Sequence, residues 1–475
     1  MRTDKLILLL ACACAFMVIM DATIVSVALP DIGGALGFPA ESLPWVVNAY
    51  TLAFAGFLLL GGRCADTFGQ RRILLLSLGL FTLARTLGGL ATGPGLLLAA
   101  RAAQGLGGAL LMPVTLSLLT TTFTDPDRRT RALATWSSVG AVGAASGPVV
   151  GGLLTEALSW RWVFFVTVPI GVAAMVLAAR ILPPRDRADS PARLDTVGAV
   201  LATAGLVGVV YAVMGSAQAG LASPSVFGPL LGGVLLLAVF LVHQARWAAD
   251  PLVPLGVFRL GSVAAANGVM FLLGLGFFAS PVLVSLYLQY VSGATPMEAG
   301  LGYLPIGVAM YLGARAAGWL TVRWGARRAT VLCCLVGAAG FLATGALLGV
   351  DQPYLIAVAV PGAVLGLGSA AAFTPITVAA TAGLPPHHNG LAAGLLNAIR
   401  QTSGAIGLAV LSTVSATVSG GQATRPALAA GYSAAFLLSA AFLVAAAGLA
   451  AFALRTRDAC TVYTWGRRTG SRQRR

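Results

Sequence analysis

The chain has 475 residues, 58% of them hydrophobic and only 9% charged, with a mean hydropathy of +0.88. Soluble domains carry about 25% charged residues, so the composition excludes an ordinary water-soluble protein and points to a polytopic membrane protein. A net charge of +15 could signal nucleic acid, but the placement of the basic residues argues against it.

Fourteen mostly apolar runs are long enough to cross a bilayer. They fall at 6–29, 45–62, 73–91, 95–121, 135–154, 163–182, 196–217, 225–243, 262–290, 300–321, 329–349, 354–382, 389–417 and 429–454. The first reads LILLLACACAFMVIMDATIVSVAL and holds Asp21 roughly 22 Å along its helix. A carboxylate near a bilayer centre costs about 2.5–3.5 kcal/mol, so it is paired, protonated or working. The default reading is a proton or substrate site. Arg2 and Lys5 precede this run as in a signal peptide, but the run is too long for such a core and thirteen others follow.

Short polar or Pro/Gly pieces separate the runs, such as TDPDRRT (124–130), PPRDRADSPAR (183–193) and LPPHHNG (384–390), and none has room for a soluble domain. With the N-terminus inside and alternating spans, 24 of the 30 basic residues fall on the cytoplasmic side, including seven arginines after residue 454. This is the positive-inside bias expected for an even number of spans with both ends cytoplasmic. The tail after 454 is expected to touch anionic lipid headgroups rather than nucleic acid. Lys5 is the sole lysine, so no Walker A motif exists and energy must come from an ion gradient or a separate subunit. The cysteines show no CxxC and no Cys/His cluster, so neither a metal nor disulfides are expected. No cofactor is expected beyond a proton gradient.

The chain repeats itself. GRCADTFGQRR (62–72) is echoed by GWLTVRWGARR (318–328): Gly62, Gly69, Arg71 and Arg72 match Gly318, Gly325, Arg327 and Arg328 at a constant offset of 256. A second echo joins GLGGALLMP (105–113) to GLGSAAAFTP (366–375). Parallel repeats of this kind build many secondary transporters.

At these residues the chain resembles the major facilitator superfamily. GRCADTFGQRR resembles its loop signature, with Cys64, Thr67 and Gln70 as departures, and Val322 stands where the second loop would carry an acid. LAARAAQGLGGAL (98–110) resembles the fourth-helix motif, with Arg101 as its buried arginine. GAVGAASGPVVGG (140–152) resembles the fifth-helix antiporter motif, with Gly143, Gly147, Pro148, Gly151 and Gly152. MDATIVSVALP (20–30), WRWVFFVTVPIG (160–171) and LNAIRQTSGAIG (396–407) resemble the fourteen-helix drug:proton antiporters. The resemblance implies an all-α integral membrane fold of two parallel six-helix bundles, 1–182 and 251–454. Between them, 183–250 supplies a cytoplasmic linker and two inserted helices, and 455–475 forms a basic tail.

Asp21 and Arg101 lie at similar depths, about 12 and 9 Å from the outer ends of their spans. They are expected to form a pair in which Asp21 alternates between a salt bridge and a neutral, protonated state, or else a fixed pair that only holds the bundle. Gln104, Gly105, Gly108 and Met112 on the fourth span, and Arg400 and Gln401 on the thirteenth, are candidates for a substrate cavity. Plain helix packing explains the glycines equally well. Asp66 is expected to be a conformational latch with Gly62, Gly69, Arg71 and Arg72, or an ordinary surface carboxylate beside arginines that serve topology. No partner for Arg400 and no role for Arg85 or Arg315 is readable. The function expected is proton-coupled efflux of small apolar or cationic drugs or antibiotics by a monomer in the cytoplasmic membrane. A metabolite or sugar transporter of the same fold is the alternative. A membrane enzyme is disfavoured because no catalytic cluster is present.

Overall fold

The computed structural model describes residues 2–39, 42–183, 194–220, 223–248, 251–253, 255–259, 261–381 and 389–454. The side chains of residues 2, 66, 126, 130, 218, 257, 259 and 389–393 lie outside that description, as do His387, His388, Cys460 and the tail 455–475. The first part of the chain forms α1 (Arg2–Leu36), α2 (Pro44–Phe68), α3 (Gln70–Gly89), α4 (Pro94–Thr122), α5 (Pro126–Ala157), α6 (Trp162–Phe165) and α7 (Val168–Ile181). Then come α8 (Thr196–Ala219) and α9 (Pro224–Val242). The last part forms α10 (Gly261–Phe277), α11 (Ser280–Tyr290), α12 (Pro296–Leu301), α13 (Leu304–Leu347), α14 (Val360–Thr381), α15 (Asn389–Val418) and α16 (Arg425–Ala453). The described residues contain no strand.

Twelve helical stretches are long and apolar enough to cross a membrane. One of them, Pro296–Leu347, has 52 residues, more than twice what a bilayer requires. It breaks at Gly325, whose φ of 78° is costly for any residue with a Cβ. Gly69, its counterpart in the repeat, has φ 89° and separates α2 from α3. The repeated loop thus imposes one backbone turn twice: a glycine outside helical space, then an arginine pair opening the next helix. The thirty-residue α15 is not among the twelve.

Two expected spans are each broken once. The run 163–182 divides into α6 and α7, and 262–290 into α10 and α11. Pro169 and Pro281 sit in the first turn of the second piece each time, where their missing N–H and fixed φ start a helix rather than continue one.

Small residues bring the helices together. A Cβ on Gly107 would lie 3.0 Å from the Phe81 backbone, so α3 and α4 pack backbone to backbone. α8 and α9 pack on each other. A small apolar cluster of Leu52, Leu206, Val210, Met214, Ala405 and Ala409 wedges α8 against both α2 and α15. α8 therefore touches helices from the first and the last parts of the chain.

The base of that pair is pinned by Asp195, which caps α8 by accepting from the Gly198 amide at 2.8 Å. The carboxylate also meets His243 Nε2 at 2.8 Å and accepts from Gln244. Gln244 in turn accepts from the Val253 amide at 3.0 Å, and Arg63 donates to the Pro251 carbonyl at 2.9 Å. Burial pushes the Asp195 carboxyl up, but Gln244, the Gly198 amide and His243 together hold it below its ordinary value. Replacing it (Asp195→Ala) should cost about 0.5–2 kcal/mol through the lost cap. In detergent melting, the wild type's advantage over Asp195→Ala should be full near neutral pH and should shrink as the pH falls through the lowered carboxyl value. Equal melting at neutral pH would show that the clasp is idle.

Candidate functional site

The site is built around a carboxylate with no exposed surface. Asp21, on α1, accepts from two arginines: Arg101 of α4 through Nη1 at 2.7 Å, and Arg85 of α3 through its own Nη1. All three side chains are essentially fully buried, with relative exposures of 0%, 0% and 1%. One negative and two positive charges in so dry a place require further acceptors, and the helix breaks and carbonyls supply them. Arg85 donates to the Phe164 carbonyl at 2.9 Å and to the Val163 carbonyl, both on α6. Arg101 donates to the Val46 carbonyl of α2 at 2.8 Å and to Gln104 Oε1 at 2.9 Å. Its guanidinium also sits 4.6 Å from the Tyr50 ring centroid, while Tyr50 donates to the Val18 carbonyl at 3.2 Å. Arg101 Nη2 and Gln104 Nε2 are buried without partners. A single anion thereby ties α1 to α3 and α4, and the two arginines extend the tie to α6 and α2.

Arg85 is the functional candidate that depth-matching did not find. Its signal was nonetheless in the sequence. Two arginines, Arg85 and Arg101, stand well inside early spans that hold a single interior acid, Asp21, so Asp21 is the one anion in those spans that either could meet.

The glycine motif of α5 faces the helix that carries Asp21. A Cβ on Gly147 would fall 3.0 Å from the Ile24 amide nitrogen, one on Gly143 would fall 3.1 Å from the Phe16 carbonyl, and one on Gly151 would fall 3.0 Å from the Ile24 side chain. Gly152 and Pro148 instead lie on the seam with the other half. A Cβ on Gly152 would be 3.0 Å from Met297 Cα, and one on Gly300 would press on the Pro148 carbonyl. Two hydrogen bonds close the same seam: Gln289 to the Val27 carbonyl at 3.0 Å, and the Met297 amide to Glu156 at 3.0 Å. This is the end of the bundle away from the chain termini.

The candidate cavity residues separate. Gly105 and Gly108 pack on α2, where their Cβ atoms would meet Ala53 at 2.9 Å and Phe54 at 3.1 Å, so their place in this structure is helix packing. Gln104 is buried against Arg101, and Met112 is half-buried in the core of the first half. Arg400 and Gln401 lie on α15, in the other half, and are partly exposed. The Arg400 guanidinium is 5.9 Å from the ring centroids of both Phe278 and Phe373. Arg315 is exposed in the first part of α13, before the break at Gly325. In the repeated loop, Arg71 donates to the Ala179 carbonyl at the end of α7 at 3.1 Å, Gln70 donates to Ser117 at 2.9 Å, and Arg72 is exposed. Gly62 looks onto Pro113 of α4. The Asp66 side chain, on which the latch expectation rests, lies outside the described residues.

A bundle of apolar helices in two repeated halves, with buried charges at mid-span and glycine seams between helices, defines a multi-pass membrane transporter. The chain belongs to the Major Facilitator Superfamily, whose family model matches residues 11–408 and 268–472. It is 44% identical over 432 residues to the "Cephamycin export protein CmcT" of Amycolatopsis lactamdurans, covering 90% of this chain and 88% of that one. It is 38% identical to the "Puromycin resistance protein pur8" of Streptomyces alboniger, covering 85% and 80%. Among solved structures, a bacterial homologue of the human lysosomal transporter Spinster, inward-facing and unoccupied, superposes with a TM-score of 0.65 at 17% identity, covering 95% of this chain and 97% of that one. That last likeness is one of fold.

If the triad is the tie described, its members are unequal. Asp21→Ala strands two buried cations and should cost about 3–5 kcal/mol. Arg85→Met leaves a balanced pair and should cost less. Melting in detergent should rank wild type above Arg85→Met and Arg85→Met above Asp21→Ala; a reversed order of the two variants would refute the shared-anion description.

Proposed function

We propose that this protein is a proton-coupled antiporter that exports small drugs or antibiotics across the cytoplasmic membrane. In this reading it crosses the bilayer fourteen times, with both ends in the cytoplasm, and has no catalytic role. What supports export is kinship with proteins named for cephamycin export and puromycin resistance, each matched over most of its length. A third, 32% identical, is the "Tetracenomycin C resistance and export protein" of Streptomyces glaucescens. What supports fourteen crossings is the break at Gly325 inside the 52-residue stretch and the length of α15, added to the twelve spans.

The observation that carries proton coupling is the shared carboxylate. In the state described, Asp21 balances one of its two arginines and attracts both. A proton taken up by Asp21 would remove that attraction. Arg85 would keep the Val163 and Phe164 carbonyls, and Arg101 would keep Val46 and Gln104, so neither cation would be left bare. What would change is the grip of α3 and α4 on α1. α1 also packs on the α5 glycines and meets the other half through Val27, so loosening it bears on the seam between halves. That seam is closed at the end away from the termini, which in this orientation is the outer end, leaving the cargo path to face the cytoplasm. Cargo and proton would then bias the same two-state element, and the bias is reciprocal.

The test is transport in everted vesicles and resistance in cells. Cells carrying the protein should tolerate an exported antibiotic better than cells without it, and a proton uncoupler should erase the difference. Asp21→Asn, checked for insertion, should reduce cargo-dependent proton flux by at least tenfold. Proton-coupled uphill transport at wild-type rates by Asp21→Asn would remove Asp21 from the mechanism.

A further inference from the structure

Arg400 lies about 16 Å into α15 from Asn389, far from either end of the bundle. Its Nε is buried without a hydrogen-bond partner, and among the described residues its guanidinium has no ion pair. Its neighbours are the two phenyl rings, Phe278 at the α10–α11 break and Phe373 on α14. A guanidinium at this depth is expensive unless an anion answers it, and ring faces answer only part of the charge.

Among the described residues no carboxylate meets it. Residues 251–454 contain two carboxylates, Glu298 and Asp351. Glu298 is engaged in the capping box of α12, and Asp351 is exposed in the loop after α13. In the other half, Asp21 is already enclosed by two arginines. Asp21 against Arg85, Arg101 and the partly exposed Arg400 leaves an excess of positive charge among these side chains.

Arg400 is not sealed away. It remains partly exposed together with Phe278, Phe373, Gln401 and Asn397, although α10–α11 and α14 belong to the most buried spans of the molecule. Gln401 and Asn397 form no side-chain hydrogen bond among the described residues. Arg400 thus keeps accessible surface between two amide residues of its own helix and two apolar ring faces.

We propose that Arg400 is the recognition point for a carboxylate on the exported molecule, with Phe278 and Phe373 holding the apolar ring or chain next to it. The cargo class is amphipathic organic carboxylates. A single guanidinium beside amides and phenyl rings suits one carboxylate on an apolar body better than a phosphate, which calls for several cations. The word cargo rests on the export reading; the anion site itself does not.

The experiment is therefore one of binding. The purified full-length protein in detergent is titrated calorimetrically near pH 7 with three acids: naphthylacetic acid, N-benzoylphenylalanine and a cephalosporin. Each is compared with its uncharged methyl ester. At least one acid should bind at least tenfold more tightly than its ester. Arg400→Met should abolish that preference while leaving weak ester binding, and Arg400→Lys should retain part of it. Melting of each variant shows whether it is folded. The proposal is overturned if no acid binds saturably to the wild type, if esters bind as well as acids, or if folded Arg400→Met keeps the preference. Uphill transport of the bound acid in vesicles is scored separately. Binding without transport would count against export and leave the carboxylate site standing.

Discussion

One carboxylate shared by two arginines in a dry interior is the interaction on which the rest of this structure depends. Each charge alone would be costly at that depth. Together they are tolerated because Asp21 meets both cations and because carbonyls near helix breaks and starts take the remaining N–H groups. The short α6 matters for this reason. By stopping at Phe165 ahead of Pro169, the chain places the Val163 and Phe164 carbonyls where a guanidinium can use them. The same arrangement gives the arginines somewhere to stay if the carboxylate is neutralised.

Glycine seams surround the helix that this carboxylate holds. α5 lies on α1 through Gly143, Gly147 and Gly151, close enough that backbone touches backbone, and the next residue, Gly152, meets the last part of the chain at Met297. Interfaces of this kind have little side-chain material to absorb a shift, so a change in how α1 is held is passed on rather than damped. The inserted pair α8–α9 does something different. It is clasped at its base by Asp195, and Met214 wedges α8 between α2 and α15, helices from the first and last parts of the chain.

Much of this was legible in the sequence, for particular reasons. The 256-residue repeat was readable because glycine is nearly obligatory where φ is positive, and Gly69 and Gly325 both have such a φ. Asp21 and Arg101 could be matched because depth along a helix is simple arithmetic. Arg85 was missed because its partner had already been assigned elsewhere. The breaks before Pro169 and Pro281 were hidden because an apolar run looks continuous whether or not one proline restarts the helix. Which face of α4 Gly105 and Gly108 present could not be read at all. A glycine that admits a neighbouring helix and a glycine that leaves room for a ligand are the same residue until the neighbour is known.

The central claim is that Asp21 gains and loses a proton inside the bundle. Infrared difference spectra of the protein in lipid nanodiscs, recorded across pH, measure this directly through the C=O band of a buried protonated carboxyl group. The account predicts such a band in the wild type, titrating reversibly and missing from Asp21→Asn. A spectrum of the transport-active protein with no carboxyl band attributable to Asp21 at any pH would contradict it.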